Sequence, residues 1–278
     1  MPIPAASILI TGASSGIGAA LAEAYAKPRV SLWLAGRNIT RLEVIASRCR
    51  AHGADVATRT VDVVDRDGMA RWLAECDAAS PLDLVVANAG ISAGTGGVPK
   101  NGGVGVEAPH QAQRIFAVNV DGVFNTVEPA VPLMRRHMPR LGVPAHAARG
   151  QIAIVSSLAG FRGFPGAPAY SASKAAVKAW GEALAPALGT DGIAVSVVCP
   201  GFITTPMTAR NDFRMPFLMS AEEAAMRMRD GLAHGRARIA FPWPMHLAAW
   251  LLAALPPTWG DRLLARSPGK TPFADGEG

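Results

Sequence analysis

The stretch Ile8-Leu9-Ile10-Thr11-Gly12-Ala13-Ser14-Ser15-Gly16-Ile17-Gly18 decides the fold of this chain. Its first three residues predict a buried strand, and a helical pattern begins at Gly18, so the glycines form a strand-to-helix turn. Gly12 allows the tight turn, and Gly16 and Gly18 let phosphates and the sheet approach the backbone closely. Free amides and the positive dipole end at the helix start favour a bound pyrophosphate. The candidate dinucleotide contacts here are Gly12, Ser14, Ser15, Gly16, Ile17 and Gly18.

Apolar runs alternate with helical patterns along most of the chain, which is typical of a parallel sheet with helices on both faces. We expect six strands, near residues 8–10, 30–35, 56–61, 84–87, 152–155 and 193–198. Helices are expected near 18–27, 41–52, 66–79, 112–127, 171–188 and 222–233. The sequence therefore predicts one doubly wound, Rossmann-type α/β domain over residues 1–240. Residues 241–278 form an apolar C-terminal extension that we do not expect to be an independent domain.

Three stretches interrupt this alternation, and the last of them, residues 202–220 after the sixth strand, is rich in Met and Phe. Residues 94–109 are rich in glycine and lack periodicity, so we expect a flexible surface insertion there. Residues 140–150 form a second, shorter interruption. Pro186 falls in the last turns of the helix expected near 171–188, where a proline should kink or end it.

Composition excludes several classes of protein. Half of the 278 residues are hydrophobic and 17% are charged, which excludes a disordered chain. The three cysteines, Cys49, Cys76 and Cys199, show no CxxC spacing, which indicates a reducing compartment rather than a disulfide framework. No basic segment precedes the first apolar run, and no run reaches the ~18 apolar residues of a membrane span. We therefore expect a cytoplasmic protein.

Charge and histidine patterns exclude two kinds of site. The net charge is +6, but the basic residues are scattered singly, with no dense Lys/Arg run of the kind that binds nucleic acid. The six histidines have no ligand spacing, so we expect no metal site.

A second pattern comprises Ser157, Tyr170 and Lys174. Tyr170 and Lys174 are four residues apart, so they share one face of a helix. A phenol has a pKa near 10, and a neighbouring ammonium lowers it by favouring the phenolate. Tyr170 can then exchange a proton with a substrate oxygen that the Ser157 hydroxyl also holds. The pattern indicates proton transfer at a carbonyl or alcohol oxygen.

Together these motifs resemble those of the short-chain dehydrogenase/reductase family, over roughly residues 5 to 210. The shared motifs are the TGxxxGxG turn at 11–18, Asp62-Val63, Asn88-Ala89-Gly90, Asn119, Ser157, Tyr170 with Lys174, and Pro200-Gly201 with Thr205. Ala87 departs from the family, which has an asparagine there. The resemblance implies an NAD(P)-dependent enzyme with four catalytic residues: Ser157, Tyr170, Lys174 and Asn119.

The resemblance also implies individual roles. Lys174 bonds the nicotinamide ribose together with Tyr170, and Asn119 orders a proton-relay water. Asp62 and Val63 flank the adenine, whereas Asn88 more often has a structural role. The remaining implied cofactor contacts are Ala89, Gly90, Pro200, Gly201, Ile203 and Thr205, with Thr204 as an alternative to Thr205.

Cofactor type is determined near the end of the second strand. An acidic residue there would bind the ribose 2′-hydroxyl of NAD, but this chain has Gly36-Arg37-Asn38. Arg37 suits a 2′-phosphate, which favours NADP(H) over NAD. Ser15 is neutral where a second basic residue would help, and Arg37 as a solvated loop residue remains the alternative.

Substrate contacts should come from loops at the carboxyl ends of the strands. The candidates are Ser157, Tyr170, Phe161, Phe164, Phe202 and Met207. Apolar, methionine-rich side chains suit a bulky hydrophobic alcohol or ketone, although they would equally suit a lid or a subunit interface.

The tail carries Trp243, Trp250 and Trp259 on an apolar stretch too short to span a bilayer. Such a segment either lies at a membrane surface or, as we favour, packs on the core or on a neighbouring subunit.

The sequence thus predicts an NADP(H)-dependent oxidoreductase that transfers hydride between the nicotinamide and a hydrophobic ketone or secondary alcohol. We expect a homodimer or homotetramer. A catalytically silent NADP(H)-binding regulator is the alternative. An epimerase or dehydratase on this fold would need further acid/base groups, which the sequence does not reveal.

Overall fold

A single seven-stranded parallel sheet organises the computed structural model, which describes residues 3–95, 107–264 and 270. The strands are β1 (Ser7–Thr11), β2 (Ser31–Gly36), β3 (Asp55–Thr60), β4 (Leu84–Ala87), β5 (Gly150–Val155), β6 (Ile193–Pro200) and β7 (Arg238–Phe241). Their order is β3-β2-β1-β4-β5-β6-β7. The direction of winding reverses between β1 and β4, as in a doubly wound fold.

Helices cover both faces of the sheet. In the described part of the chain they are α1 (Gly16–Tyr25), α2 (Ile39–Ala51), α3 (Arg66–Ala79), α4 (Pro109–Phe116), α5 (Gly122–Arg135), α6 (Pro168–Thr190), α7 (Ala221–Ala233), α8 (Trp243–Ala254) and α9 (Pro257–Leu264). A π-helical turn, Ala117–Asp121, joins α4 to α5. The predicted fold class is confirmed, and strand and helix bounds differ from prediction mostly by a few residues.

Side-chain alternation along the strands builds two cores. Ile8 and Ile10 pack into the core on one face of the sheet, and Leu9 packs into the core on the other. Leu9 lies opposite Trp33 of β2 and Val85 of β4 in register. Because every second residue points to the same face, one short apolar strand supplies both layers.

The seventh strand was not predicted. β7 has only four residues, begins with an arginine, and lies at the sheet edge beside β6. So short an edge strand has too few apolar residues to stand out in sequence.

Pro186 does not end α6, which continues through it to Thr190. The proline removes one backbone N–H about one turn from the helix end. Leu188, which is buried in the core beyond it, holds the last turn in place. The insertion predicted at 94–109 falls mostly on residues 96–106, outside the described residues.

Arg162 joins the C-terminal helices to the domain. Its guanidinium donates to Leu255 O at 3.3 Å and to Pro257 O at 3.2 Å, and it pairs with Asp261. No helix in the described part of the chain combines the length and apolar character needed to cross a membrane.

Candidate active site

A cavity of about 1080 Å³ opens at the carboxyl ends of the strands, beside the reversal between β1 and β4. Doubly wound sheets bind ligands at this position. The predicted dinucleotide and catalytic residues line this cavity, apart from Gly18 and Asn119, which lie directly behind its wall.

The glycine-rich turn is held against β4. Gly12 has φ +66°, and a Cβ there would lie 2.9 Å from Ala89 Cα. A Cβ on Gly18 would lie 2.6 Å from Asn88 Nδ2 and closer still to the Gly12 carbonyl oxygen. Both positions therefore require glycine. Gly12 needs it for its backbone conformation and its packing, and Gly18 needs it for packing alone.

Asn88 links the turn to β4. Its Nδ2 donates to Thr11 O at 2.9 Å, and its backbone N–H donates to Thr11 Oγ1 at 3.0 Å. The structural role that the resemblance implies for Asn88 agrees with these bonds.

The first turn of α1 offers an anion site. Ser15 occupies the N-cap position without making a side-chain capping bond, and the first turn contains no acidic residue. The backbone amides and the helix dipole therefore face the cavity uncompensated. Gly16 lies against Thr205, because a Cβ at Gly16 would approach the Thr205 methyl group to 3.0 Å. Of the two candidate threonines, Thr205 lines the cavity, and Thr204 is not among the described lining residues.

Two arginines stand at the end of the cavity next to β2. Arg37 follows β2, and Arg41 lies in the first turn of α2, where the Asn38 side chain accepts from its backbone N–H at 2.9 Å. Both side chains are exposed and line the cavity. Arg41 was missed in the sequence, where it is indistinguishable from a solvated helix residue. Arg41 places a second basic group at this end of the cavity, whereas Ser15 is neutral.

The Asp62-Val63 loop is fixed by hydrogen bonds. Asp62 Oδ1 accepts from Val64 N at 3.1 Å, and Asn125 Nδ2 donates to Val63 O at 2.9 Å. Asn125 therefore holds this loop, which explains an asparagine in α5 near Asn119.

Ser157, Tyr170 and Lys174 all line the cavity. Ser157 interacts with the Tyr170 side chain and lowers its pKa, and Ser157 Oγ accepts from the Ala159 amide at 3.1 Å. Lys174 Nζ donates to Val155 O at 2.9 Å and lies 6.0 Å from the centre of the Tyr170 ring. All three residues are buried. The geometry places a proton donor, a second hydroxyl and a cation around one point of the cavity.

The protonation of Tyr170 differs from the sequence expectation. Burial raises the pKa of Tyr170 above its ordinary value, and the interaction with Ser157 only partly opposes this. Burial likewise lowers the pKa of Lys174 to about 8. Desolvation by burial is thus the largest influence on the pKa of this phenol.

Asn119 lies in the π-helical turn and is fully buried. Its Oδ1 accepts from Ile91 N at 2.8 Å, and its Nδ2 donates to Ile91 O at 2.9 Å and to Ser173 Oγ at 3.0 Å. A Cβ on Gly90 would lie within 3.3 Å of both Asn119 Oδ1 and Lys174 Nζ. Asn119 therefore ties the loop after β4 to the helix that carries Tyr170. π-Helical turns are frequent at functional sites.

Phe164, Phe202 and Met207 line the apolar part of the cavity, together with Met245 and Leu252 of α8. Phe161 is not among the described lining residues. It packs instead against His246, with the Lys178 ammonium 4.9 Å from its ring centre. Its position one residue past the short helical turn at Leu158–Gly160 directs it away from the cavity.

Lys270 is a site residue that sequence reasoning missed. Its Nζ lies 3.9 Å from the centre of the Tyr170 ring and 2.6 Å from Ser92 Oγ. A single lysine in the tail, 178 residues from Ser92, carries no sequence signal of this contact. Among the described residues, no group of three or more His, Cys, Asp or Glu is arranged to hold a metal ion.

Comparisons with known proteins agree with this geometry. A family model described as short chain dehydrogenase matches residues 6–214. An uncharacterized oxidoreductase of Myxococcus xanthus (strain DK1622) is 36% identical over 250 residues, which cover 89% of this chain and 92% of the relative. A 3-dehydrosphinganine reductase of Arabidopsis thaliana is 30% identical over 266 residues, covering 91% and 73%. The solved structure of a short-chain dehydrogenase from Sphingobium yanoikuyae in complex with NADPH has a TM-score of 0.72 and 25% identity, covering 96% of this chain and 98% of that one.

Proposed function

Because the chain belongs to the short-chain dehydrogenase family of oxidoreductases, we propose that it transfers hydride between NADP(H) and a hydrophobic ketone or secondary alcohol. The observation that carries this proposal is the convergence of Ser157, Tyr170 and Lys174 in the cavity that the glycine-rich turn also lines. The uncapped start of α1 and the space left by Gly12 fit the diphosphate of a dinucleotide.

The bound nicotinamide supplies or accepts the hydride. Ser157 and Tyr170 hold the substrate oxygen by hydrogen bonds, and Tyr170 donates its proton to that oxygen in reduction or accepts it in oxidation. The buried Lys174 holds the cofactor ribose and stabilises the phenolate left after proton donation. Asn119 positions the loop after β4 against α6.

The test of this function is turnover. Purified protein should oxidise NADPH in the presence of at least some members of a panel of hydrophobic ketones, measured by the loss of absorbance at the nicotinamide band. Tight NADPH binding without turnover of any carbonyl or alcohol would contradict the enzyme and favour the alternative, a silent NADP(H)-binding regulator.

Arg37 and Arg41 support NADP(H) over NAD. Replacing both with Ala should raise the KM for NADPH roughly 10- to 100-fold and leave the KM for NADH much less changed, because the two exposed arginines together contribute about 1.5–3 kcal/mol through charged hydrogen bonds to the 2′-phosphate. Steady-state kinetics with both cofactors measure this. The matched control is Arg66→Ala together with Arg71→Ala, two arginines of α3 that are not among the described lining residues. Equal losses with NADH and NADPH would contradict the proposed recognition.

The substrate class follows from the apolar lining. Phe164, Phe202 and Met207 suit a bulky apolar chain, and the Arabidopsis relative is named for a reductase of 3-dehydrosphinganine. The proposed setting of the reaction is a cytoplasmic homodimer or homotetramer.

The C-terminal helices offer an apolar outer surface, the α8–α9 face, which we assign to peripheral membrane contact. The largest exposed fractions there are 71% for Trp243, 62% for Trp259 and 66% for Leu263. Trp250 and Leu251 of α8 are about half exposed. Tryptophan and leucine on one side of a short helix suit the boundary of a lipid bilayer.

Vesicle binding tests that assignment. Wild-type protein should co-sediment with vesicles of phosphatidylcholine and phosphatidylglycerol, and Trp250→Ser with Leu251→Ser should abolish most of the binding. The control is Met138→Ser with Leu141→Ser, which alters exposed apolar residues far from α8 in sequence. If the α8 substitutions leave sedimentation unchanged but dissociate a dimer or tetramer in light scattering, a second copy of the chain covers this face instead.

A further inference from the structure

Lys270 brings a second ammonium group into the cavity, close to the ring of Tyr170. Its Nζ lies 3.9 Å from the centre of the Tyr170 ring, whereas Nζ of Lys174 lies 6.0 Å from it. A group that reaches the hydroxyl of Tyr170 therefore comes close to Lys270 as well. Lys270 thus faces the position of the substrate.

The surrounding backbone holds Lys270 in this position. Its backbone N–H donates to Gly166 O at 3.1 Å, and its Nζ donates to Ser92 Oγ at 2.6 Å. A Cβ on Gly94 would come within 2.5 Å of Lys270 Cβ, so the loop after β4 packs directly on the lysine. These contacts already order the long Lys270 side chain, so a ligand that binds it does not have to immobilise it at a further cost in rotamer entropy.

The ammonium keeps unused donor capacity. An ammonium has three donors, and within the described residues Ser92 Oγ is the acceptor that Lys270 Nζ contacts. Burial lowers the pKa of Lys270 to about 8, and the Glu107 carboxylate, 8% exposed, partly opposes this without forming a direct ion pair. Glu107 Oε2 accepts from Ala169 N at 2.7 Å and so holds the start of α6. A partly buried ammonium with one acceptor among the described residues favours an anionic partner.

The charges of the cavity agree with such a partner. The charged residues that line it, among those the structure describes, are Arg37, Arg41, Asp62, Lys174, Arg214 and Lys270. Arg37, Arg41 and Asp62 lie at the dinucleotide end. Of the lining residues described on the substrate side, Arg214 and Lys270 carry charge, and both are cationic.

We propose that Lys270 determines substrate specificity by binding a carboxylate of the substrate, so that the preferred substrate is an apolar oxo-carboxylic acid. The apolar side chains around Phe202 and Met245 receive the hydrocarbon chain, while Lys270 binds the acid group beside the carbonyl that Tyr170 protonates. This inference rests on the proposed function, since it assigns the position of the carbonyl from Tyr170.

Paired substrates test the proposal. With NADPH and the full chain, kcat/KM for 4-oxodecanoate should exceed that for the neutral ketone 4-decanone. Lys270→Met should lower this ratio roughly 10- to 100-fold, mainly through the KM for the acid, because a charge-assisted hydrogen bond is lost. Lys270→Arg should retain most of the preference. The control, Lys27→Met, removes an exposed lysine at the end of α1 and should leave the ratio unchanged.

A binding measurement separates this proposal from the proposed function. In the presence of NADP, calorimetry should show tighter binding of decanoate than of decan-1-ol, and Lys270→Met should remove the difference. If neither ketone is reduced but decanoate binding still depends on Lys270, the acid site stands and the hydride transfer fails. Equal losses on the acid and the ketone in Lys270→Met, or an unchanged ratio, would overturn the role of Lys270.

Discussion

Tyr170→Phe is expected to lower kcat for ketone reduction by roughly 10²- to 10⁴-fold, the range that general acid catalysis contributes. The substitution removes only the hydroxyl, so the aromatic ring still fills its buried place beside Lys174 and Lys270. Burial raises the pKa of Tyr170, so the wild-type phenol is protonated at neutral pH and ready to donate. Single-turnover oxidation of NADPH with a saturating ketone measures the loss.

The chain supplies a matched control for this experiment. It contains two tyrosines, and the other, Tyr25, packs against the core from the end of α1 and is not among the described lining residues of the cavity. Tyr25→Phe should leave kcat within about twofold, and Tyr170→Phe should still bind NADPH in a fluorescence titration. Turnover by Tyr170→Phe near the wild-type rate would show that another group donates the proton.

Gly18→Ala is expected to have the second-largest effect, on both stability and cofactor binding. The added Cβ would lie 2.6 Å from Asn88 Nδ2 and closer to the Gly12 carbonyl oxygen, so the turn or the first helix must move. Overpacking of this kind costs roughly 1–3 kcal/mol of unfolding free energy. The displaced amides should weaken NADPH binding by about 10-fold or more, as expected when charge-assisted hydrogen bonds to phosphate are lost. Urea unfolding and NADPH titration measure the two effects.

Gly189→Ala is the control for that substitution. Gly189 also lies in a helix, in the last turns of α6, but a Cβ there would meet its nearest atom at 3.9 Å, which is ordinary van der Waals contact. Alanine is the better helix former, so Gly189→Ala should be neutral or stabilising. Equal effects of the two substitutions would contradict the packing argument for Gly18.

The sequence predicts those parts of the site whose residues lie close together in the chain. The turn from Gly12 to Gly18 lies between a strand and a helix that each have a clear period, so its place at the end of β1 follows locally. Tyr170 and Lys174 share a helix face whatever else surrounds them. The doubly wound sheet follows from the alternation of the first six strands.

The parts that escaped prediction depend on contacts between distant segments. Lys270 reaches Ser92 across 178 residues, and no local pattern indicates that contact. Desolvation of Tyr170 is the sum of many packed neighbours, so the direction of its pKa shift could not be read from the adjacent lysine. Phe161 differs from Phe164 only in the direction that a three-residue helical turn gives it.

Helix α8 borders the cavity on one side and is exposed on the other, so binding on one side can affect binding on the other. Met245, Ala248, Ala249 and Leu252 border the cavity, whereas Trp243, Leu247, Trp250 and Leu251 look outward. Suppose that a membrane or a second subunit binds the outer side of α8 more tightly when substrate fills the cavity. By thermodynamic reciprocity, substrate must then bind more tightly, by the same factor, when the outer side is bound. The affinity of α8 for its outer partner and the affinity of the cavity for substrate would then change by the same coupling free energy, because one helix borders both sites.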